Sequence, residues 1–561
     1  MPKPTRQDPA AVSPSRPRWW EWVCLSIACA VLVLLRLHAF DVPLEADECN
    51  YAYIGGRLLA GDQLYVDVWD HQPFGVYVLF AGPIHFFGHA PEVFRWMAIG
   101  FSLASLLLIF AILRRLGGRA TALLGAFLFA IASSDPGTAG EGCNREIYMN
   151  TLILAAWYMV LRASGGRRWG TFGAGASLAL ASALKPIVAV HWVLLGVWIV
   201  LQAVLDRKEE DAPQGPKPTI GRRWQEALWP LVVFAAGPLI PWGATFAYFS
   251  WTDRFQEFID AVFLANLSYS ETSEGFAVRF LRFFNPQQHP FIFDSALPLW
   301  IGGFASFVGL LVRAFVSPRP NTLAILLLLL GSYLAACLPA RFWPHYYYLL
   351  IPPLTITACL GVQGVIDYLR RTVIRAGPLQ KVGIVILLAV LPITLLATEV
   401  VHYWVQPPFG ITVHRYNSRD FWGRAQGRNV RRVTDPNDTI FVFGNDASIY
   451  YYAQRRCASR YTMITGLTAG MAGAERRRAI LLSELRKHPP RVILVLFDEE
   501  PFDEWKAFLD EHYGEPVGWD FHDRTGAPIL FVLARTDHPI EAIDWNWDRK
   551  SVGGWFPDTK R

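Results

Sequence analysis

Cysteines are few in this chain and form no recognisable pattern. The 561 residues include seven cysteines, and none lies in the Cys-x-x-Cys spacing that commonly holds zinc. Their positions also lack the regular spacing of a small disulfide-stapled scaffold. The sequence therefore predicts neither a zinc centre of that kind nor a disulfide framework.

Nucleotide-binding loops and internal repeats are missing as well. The last 150 or so residues contain no Gly-x-Gly-x-x-Gly and no Gly-x-x-x-x-Gly-Lys-[Ser/Thr] segment, so a nucleotide-binding role has no support there. We find no clear internal repeat, which disfavours a transporter built from inverted halves.

Charge is scarce. Only 18% of the residues are Asp, Glu, Lys or Arg, and the net charge of +5 is small for a chain of this length. The basic residues fall in short groups between apolar runs rather than in one stripe. This pattern disfavours a nucleic-acid partner and favours a membrane orientation signal.

Apolar residues dominate instead. They make up 53% of the chain, with 22 Trp and 37 Phe, and they come in blocks of about 20 residues, enough for a helix to cross a bilayer. The first block has no small-residue cleavage site after it, so we interpret it as an uncleaved anchor. Eleven spans are predicted, at residues 20–40, 92–113, 119–134, 146–161, 170–184, 187–205, 228–250, 296–316, 321–339, 346–368 and 382–402.

The loops between these runs predict an orientation. Every second connection is rich in Arg or Lys, as cytoplasmic loops are, whereas the loops at 41–91, 135–145, 251–295 and 340–345 are longer and poorer in them. We therefore predict a cytoplasmic tail at 1–18 and a membrane domain at 19–403 in the cytoplasmic (inner) membrane. An odd number of spans places residues 404–561 outside the cytoplasm.

The composition changes in that last segment. It is charged and contains β-rich runs at 439–443, 491–497 and 528–533, with a helical pattern at 474–487. The predicted fold class is an α-helical multi-pass membrane protein with a small C-terminal extracytoplasmic α/β domain.

An acidic pair, Asp47-Glu48, follows the first span closely. A partly desolvated carboxylate can act as a general base on an acceptor hydroxyl, and its neighbour can position that acceptor or a metal ion. The alternative is a solvated loop pair or a helix N-cap. Metal dependence is left open, with Asp47, Glu48 and Glu146 as possible oxygen ligands for a divalent ion.

Three other outer segments carry polar groups. His71 and Gln72 precede Pro73, and the apolar stretch 74–87 after them is too short for a full span, so we predict a re-entrant or interfacial helix. Glu146 heads the fourth span, where a carboxylate is favourable whatever its role. Arg341 opens a segment with His345 and several aromatics, which is also typical of an aromatic belt with a snorkelling arginine.

Four motifs stand in the outer segments: Asp47-Glu48, Tyr51-x-Tyr-Ile-x-x-Arg57-Leu-Leu-x-Gly61, Trp69-Asp-His-x-Pro73 and Arg341-Phe-x-Pro-His-Tyr346. Together, these motifs resemble the family 39 type of membrane glycosyltransferase. That group has the GT-C fold and includes protein O-mannosyltransferases and bacterial lipid A aminoarabinose transferases. The resemblance covers about residues 20–400, and the C-terminal domain matches only in position.

The resemblance implies roles for single residues. Asp47 would be the catalytic carboxylate, Glu48 its acceptor-side partner and Glu146 the second acidic position of the family. The residues that would contact the donor phosphate or sugar are Arg57, His71, Arg341, His345 and Tyr346. The family's Lys-Pro-Pro turn stands here as Gln72-Pro73-Phe74, which removes an expected phosphate-binding lysine. His71 and Arg341 are then the expected substitutes, while Lys185 is a weaker candidate that could merely snorkel.

The predicted activity is a polyprenyl-phosphate-sugar-dependent hexosyl or pentosyl transferase. Its partners would be the lipid-linked donor, a lipid, glycan or protein acceptor and the surrounding membrane lipids. A transporter or flippase of a lipid-linked substrate is the main alternative, but it should carry ionisable residues near the middle of its spans rather than at the outer rim. A non-catalytic scaffold would leave the acidic pair unexplained.

Overall fold

The structure is a computed structural model. It describes residues 18–162, 168–205, 220–271, 275–285, 293, 296–372, 378–416, 419–468, 470–497, 501–521, 527–540 and 543–545. The predicted cytoplasmic tail, apart from Arg18, lies outside these residues, and so does most of the basic connection at 206–223 between two of the predicted spans.

The described residues of the membrane part form helices joined by loops. Its helices are α1 (Trp19–Leu37), α2 (Ala46–Leu59), α3 (Phe74–Phe87), α4 (Pro91–Leu116), α5 (Arg119–Ala132), α6 (Arg145–Arg162), α7 (Arg168–Ser182), α8 (Ala189–Leu205), α9 (Ile220–Trp251), α10 (Phe255–Ile259), α11 (Ala265–Tyr269), α12 (Phe276–Arg282), α13 (Leu297–Val316), α14 (Pro320–Cys337), α15 (Pro344–Tyr347), α16 (Ile351–Thr372) and α17 (Pro378–Glu399). Each of the eleven predicted spans coincides with one of them.

Seven of these helical segments are long and apolar enough to cross a membrane by length and composition alone. They confirm a multi-pass helical membrane protein. The helices α5, α6, α7 and α8 are shorter or more polar, so the full count of eleven spans stays a prediction. Helix α3 has only 14 residues, contains Pro83 and ends at Gly88, whose φ of 81° suits glycine. It matches the short apolar helix predicted there.

Glycines allow two of the helices to approach closely. A Cβ on Gly175 of α7 would lie 2.1 Å from the Phe234 carbonyl oxygen of α9, and a Cβ on Gly237 would lie 2.5 Å from the Phe172 oxygen. Small residues at such crossings let backbones pack directly, which is a common source of stability between helices in lipid.

The C-terminal segment builds a five-stranded sheet. Its elements are α18 (Pro408–Tyr416), α19 (Arg419–Val433), β1 (Thr439–Phe443), α20 (Ser448–Ala453), β2 (Arg456–Cys457), α21 (Ala474–Lys487), β3 (Val492–Leu496), α22 (Asp503–His512), β4 (Gly518–Phe521) and β5 (Pro528–Ala534). The strand order is β2-β1-β3-β5-β4, with β1 parallel to β2 and β3, and β5 antiparallel to β3 and β4. All three predicted strands and the predicted helix at 474–487 are present.

Backbone and side-chain contacts join this sheet region to the first loop. The Trp69 N–H donates to the Arg460 carbonyl oxygen at 2.8 Å, and these segments form an isolated parallel bridge. The Arg477 guanidinium pairs with Asp260 at 2.9 Å. The C-terminal region therefore packs against the loops that carry the predicted site.

Candidate functional site

A cavity of about 880 Å³ opens between the membrane helices and the C-terminal region. Its walls come from the start of α2, the loop after it, the first residue of α6, the segment 341–346 and the loops of the sheet region. Of the predicted site residues, those that line it are Asp47, His71, Arg341, His345 and Tyr346. Segments hundreds of residues apart thus meet at one place.

Asp47 lies in the first turn of α2 and is partly exposed to the cavity. The Tyr51 hydroxyl lies 3.5 Å from its Oδ2 atom. Burial raises the pKa of the Asp47 carboxyl, and Arg145 opposes that rise. The negative charge of Asp70 adds to the rise. A carboxylate with a raised pKa is a better proton acceptor near neutral pH.

Glu48 points away from the cavity. Its carboxylate accepts hydrogen bonds from the backbone N–H groups of Glu45 and Cys143 and lies 3.8 Å from Arg95. Glu45 and Glu48 form a capping box at the start of α2. The alternative role considered for the acidic pair, a helix N-cap, therefore applies to Glu48. Its role as the acceptor-side partner of Asp47 stays a prediction.

Asp70 anchors the wall beside Asp47. Its carboxylate accepts hydrogen bonds from the Asn50 amide at 2.9 Å and the Tyr77 hydroxyl at 2.7 Å, and it lies 2.9 Å from His71 Nδ1. Burial alone would raise the pKa of Asp70, but His71 and the Tyr77 hydroxyl lower it below its usual range. The other ring nitrogen of His71 lies 2.8 Å from Gln72 Nε2, so both nitrogens of this imidazole have neighbours.

Glu146 lies behind the cavity wall rather than in it. It accepts a hydrogen bond from the Lys185 ammonium at 2.9 Å. Burial lowers the pKa of Lys185 to about 7, which the Glu146 carboxylate only partly opposes. The Lys185 ammonium also lies 3.4 Å from the ring centroid of Tyr346, which does line the cavity. Lys185 is therefore buried in a polar network and does not snorkel.

Arg341 and Arg57 have different surroundings. The exposed Arg341 guanidinium lies 4.5 Å from the Tyr269 ring centroid and donates to the Tyr269 carbonyl oxygen at 3.0 Å, at the cavity rim. Arg57, near the far end of α2, pairs with Asp62 at 2.6 Å and does not line the cavity. Its donor-binding role remains a prediction without geometric support.

Several groups of lining residues were missed by the sequence reasoning, among them Ser268, Tyr269 and Glu271, and two others carry charges that bear on the site. The first is Arg145, which precedes Glu146 and lines the cavity. The second is the wall supplied by the C-terminal region, where Arg419 lies 3.3 Å from Asp446. Arg145 directly precedes Glu146, which the sequence analysis had singled out, so its charge was a usable signal. The C-terminal wall has no local motif that could have revealed it.

Across the described residues, no group of three or more His, Cys, Asp or Glu side chains is arranged to hold a metal ion. Of the three carboxylates considered for a divalent ion, only Asp47 faces the cavity. A divalent ion held by Asp47, Glu48 and Glu146 therefore stays a prediction.

Residues 70–209 match the family described as dolichyl-phosphate-mannose-protein mannosyltransferase. The fold resembles ArnT from Cupriavidus metallidurans in the apo state, with a TM-score of 0.55 and 16% identity over 92% of this chain and 97% of that one. The same enzyme bound to undecaprenyl phosphate gives a TM-score of 0.55 and 16% identity, over 91% of this chain and 98% of that one.

A second relative by structure is an oligosaccharyltransferase from Archaeoglobus fulgidus, tethered with an acceptor peptide containing the NVT sequon. It gives a TM-score of 0.54 and 13% identity, over 93% of this chain and 75% of that one. No curated protein matches this sequence. The predicted resemblance to membrane glycosyltransferases of the GT-C fold is therefore confirmed.

Proposed function

We propose that this protein is an inverting glycosyltransferase that moves a hexosyl or pentosyl group from a polyprenyl-phosphate donor to a lipid, glycan or protein acceptor. The observation that carries this proposal is the position of Asp47. It is a cavity-facing carboxylate beside the apolar helices, and cationic residues share its cavity. A proton acceptor next to a cationic site is what such a transfer needs.

The reaction follows from these groups. The Asp47 carboxylate accepts the proton of an acceptor hydroxyl while that oxygen forms a bond to the anomeric carbon of the sugar. The bond between this carbon and the phosphate oxygen breaks, and the electron pair leaves with the phosphate. Cations near the leaving phosphate stabilise the charge that develops on it. One displacement at the carbon inverts its configuration.

The comparisons support the donor class. One similar structure holds undecaprenyl phosphate and another an acceptor peptide, and residues 70–209 match a family named for dolichyl-phosphate mannose. The chain's own apolar helices provide the lipid contact that such a donor requires. We propose further that the cavity and the C-terminal region face the outside of the cytoplasmic membrane, as the basic loops indicate.

Transfer in liposomes tests the proposal. Purified protein would be given synthetic polyprenyl-phosphate hexose or pentose, radiolabelled in the sugar, together with envelope material from cells that lack the protein. Label should move into a lipid, glycan or protein fraction, and mass spectrometry of envelopes with and without the protein should identify that acceptor. If the protein instead moved the labelled donor across the bilayer without transferring its sugar, the flippase alternative would hold.

A further inference from the structure

Arg145 is the most deeply buried cation of the cavity wall. Only 2% of its surface is exposed, yet it lines the cavity from the first residue of the 18-residue helix α6. Neither its Nε nor its Nη1 atom has a hydrogen-bond partner among the described residues. A buried guanidinium with unused donors is costly, so such a group is expected where an anionic ligand completes its hydrogen bonds.

The carboxylate next to Arg145 is engaged through Oε1 alone, and its Oε2 atom has no hydrogen-bond partner among the described residues. The Arg145 Nε atom lies 3.7 Å from Glu146 Oε1, beyond hydrogen-bonding distance. That same oxygen accepts the hydrogen bond from Lys185 at 2.9 Å. Two cations therefore share one buried carboxylate, which leaves Arg145 with positive charge that Glu146 does not neutralise.

The Arg145 side chain packs near the Tyr51 ring at the cavity wall. Its guanidinium carbon lies 5.6 Å from the centroid of the Tyr51 ring, and the Tyr51 hydroxyl reaches Asp47. The N-terminus of α6 adds the partial positive charge of its free N–H groups at the same place. An anion bound here would lie beside the carboxylate that accepts the acceptor's proton.

We propose that Arg145 binds the phosphate of the lipid-linked donor and that Lys185 positions Arg145 by holding Glu146 through its Oε1 atom and sharing its negative charge. This inference rests on the proposed function and names the group that recognises the donor's anion. The ligand chemistry is a phosphate ester, and a planar guanidinium can meet two of its oxygens with parallel hydrogen bonds.

The role of Arg145 can be tested by measuring ligand binding to the protein reconstituted in lipid nanodiscs. The probes are polyprenyl phosphate, neutral polyprenol of the same length and inorganic phosphate as competitor. Arg145→Gln should weaken binding of polyprenyl phosphate by roughly ten- to a hundredfold and leave polyprenol binding unchanged, since a charge-assisted hydrogen bond is lost. Arg145→Lys should recover part of the loss. Arg145→Gln with wild-type affinity for polyprenyl phosphate would overturn the assignment.

A matched control separates this effect from the loss of any buried arginine. Arg254 is also buried and donates to Tyr248 and Thr252 outside the cavity. Arg254→Gln should leave phosphate affinity within about twofold, whatever it does to stability. A wild-type protein that binds polyprenol as tightly as polyprenyl phosphate would contradict the proposed function itself. If inorganic phosphate displaces polyprenyl phosphate, the site recognises the headgroup alone. If inorganic phosphate does not displace it, the lipid chain is required for binding.

The positioning role of Lys185 has its own readout. Lys185→Met should free Glu146 to pair with Arg145 and weaken polyprenyl phosphate binding. Adding Glu146→Gln should restore the affinity, because the competing carboxylate charge is then gone. If Lys185 had a purely structural role, there would be no such rescue. The double variant would then bind polyprenyl phosphate as weakly as Lys185→Met alone, and the positioning role would be wrong. Because these variants keep Arg145, they still test the proposal if Arg145→Gln does not fold.

Discussion

The Thr462 hydroxyl donates a 2.7 Å hydrogen bond to the Asn50 side-chain oxygen, across 412 residues of sequence. The amide of Asn50 in turn donates to Asp70, which holds the cavity wall next to His71. A residue of the C-terminal region thus orients the polar groups that follow the first span. This chain of contacts makes the C-terminal region part of the site's framework.

Thr462→Val should therefore destabilise the protein. The change keeps the shape of the side chain but leaves the buried Asn50 oxygen without its donor, at a cost of about 1–3 kcal/mol. Thermal unfolding in detergent should show a lower midpoint, and transfer should fall. Thr412→Val is the control, since among the described residues the Thr412 hydroxyl bonds only to the Phe409 carbonyl of its own helix. Equal midpoints for the two variants would contradict a special role for the Asn50 contact.

Arg341→Ala should have a smaller effect on donor binding than Arg145→Gln. Arg341 is exposed at the cavity rim, where water screens its charge. We expect polyprenyl phosphate affinity to fall by only about two- to fivefold. Titration of both variants in the same nanodiscs measures the difference. A larger loss for Arg341→Ala would transfer the main phosphate contact from Arg145 to Arg341, as the sequence alone had suggested.

Much of the fold was predictable because its signals are local. Apolar runs of helical length predicted the positions of the long helices, although α9 begins at Ile220, well before the predicted start at 228. Short continuous apolar runs rich in β-forming residues predicted β1, β3 and β5. The strand β2 was missed because it has only two residues, and β4 because its sequence, Gly-Trp-Asp-Phe, has no continuous apolar run. Their place in the sheet depends on pairing with distant strands.

The candidate site was only partly predictable. Asp47, His71 and the segment from Arg341 to Tyr346 stood out because polar groups are unusual beside apolar spans. The different orientations of Asp47 and Glu48 could not be inferred, since adjacent residues on a helix point in different directions and the capping box decides which one turns back. The pairing of Glu146 with Lys185 depends on how two helices pack, which no local pattern encodes.

The proposed membrane orientation predicts opposite labelling of two exposed serines. Ser483 lies on α21 of the C-terminal region, and Ser317 lies in the basic connection between α13 and α14. Ser483→Cys should react with an impermeant thiol reagent in intact cells, and Ser317→Cys should react only after permeabilisation. The native cysteines give little background, because five are buried and Cys24 and Cys29 lie within α1. Reversed labelling would place the cavity on the cytoplasmic side.

Asp47→Asn tests the chemistry directly. The amide keeps the size of the side chain but cannot accept the acceptor's proton, so transfer should fall by roughly 10²–10⁴-fold. Polyprenyl phosphate binding, measured on the same preparation, should survive. Asp67→Asn is the matched control in the loop after α2, since Asp67 is exposed and accepts a hydrogen bond from the Gln63 backbone N–H. Near-normal turnover by Asp47→Asn would eliminate the base role, and lost donor binding would make Asp47 part of the phosphate or metal site.

The raised pKa of Asp47 adds a pH dependence with a definite sign. Only the unprotonated carboxylate accepts a proton, so kcat should fall as the pH drops through the pKa of Asp47. Because burial raises that pKa, the fall should begin at a higher pH than for an ordinary aspartate near 3.9. Arg145→Gln removes the charge that opposes this rise and should move the acid limb to still higher pH. A kcat profile of the wild type and this variant, at saturating donor, measures both effects. An acid limb that moves to lower pH in Arg145→Gln would show that another group controls the profile.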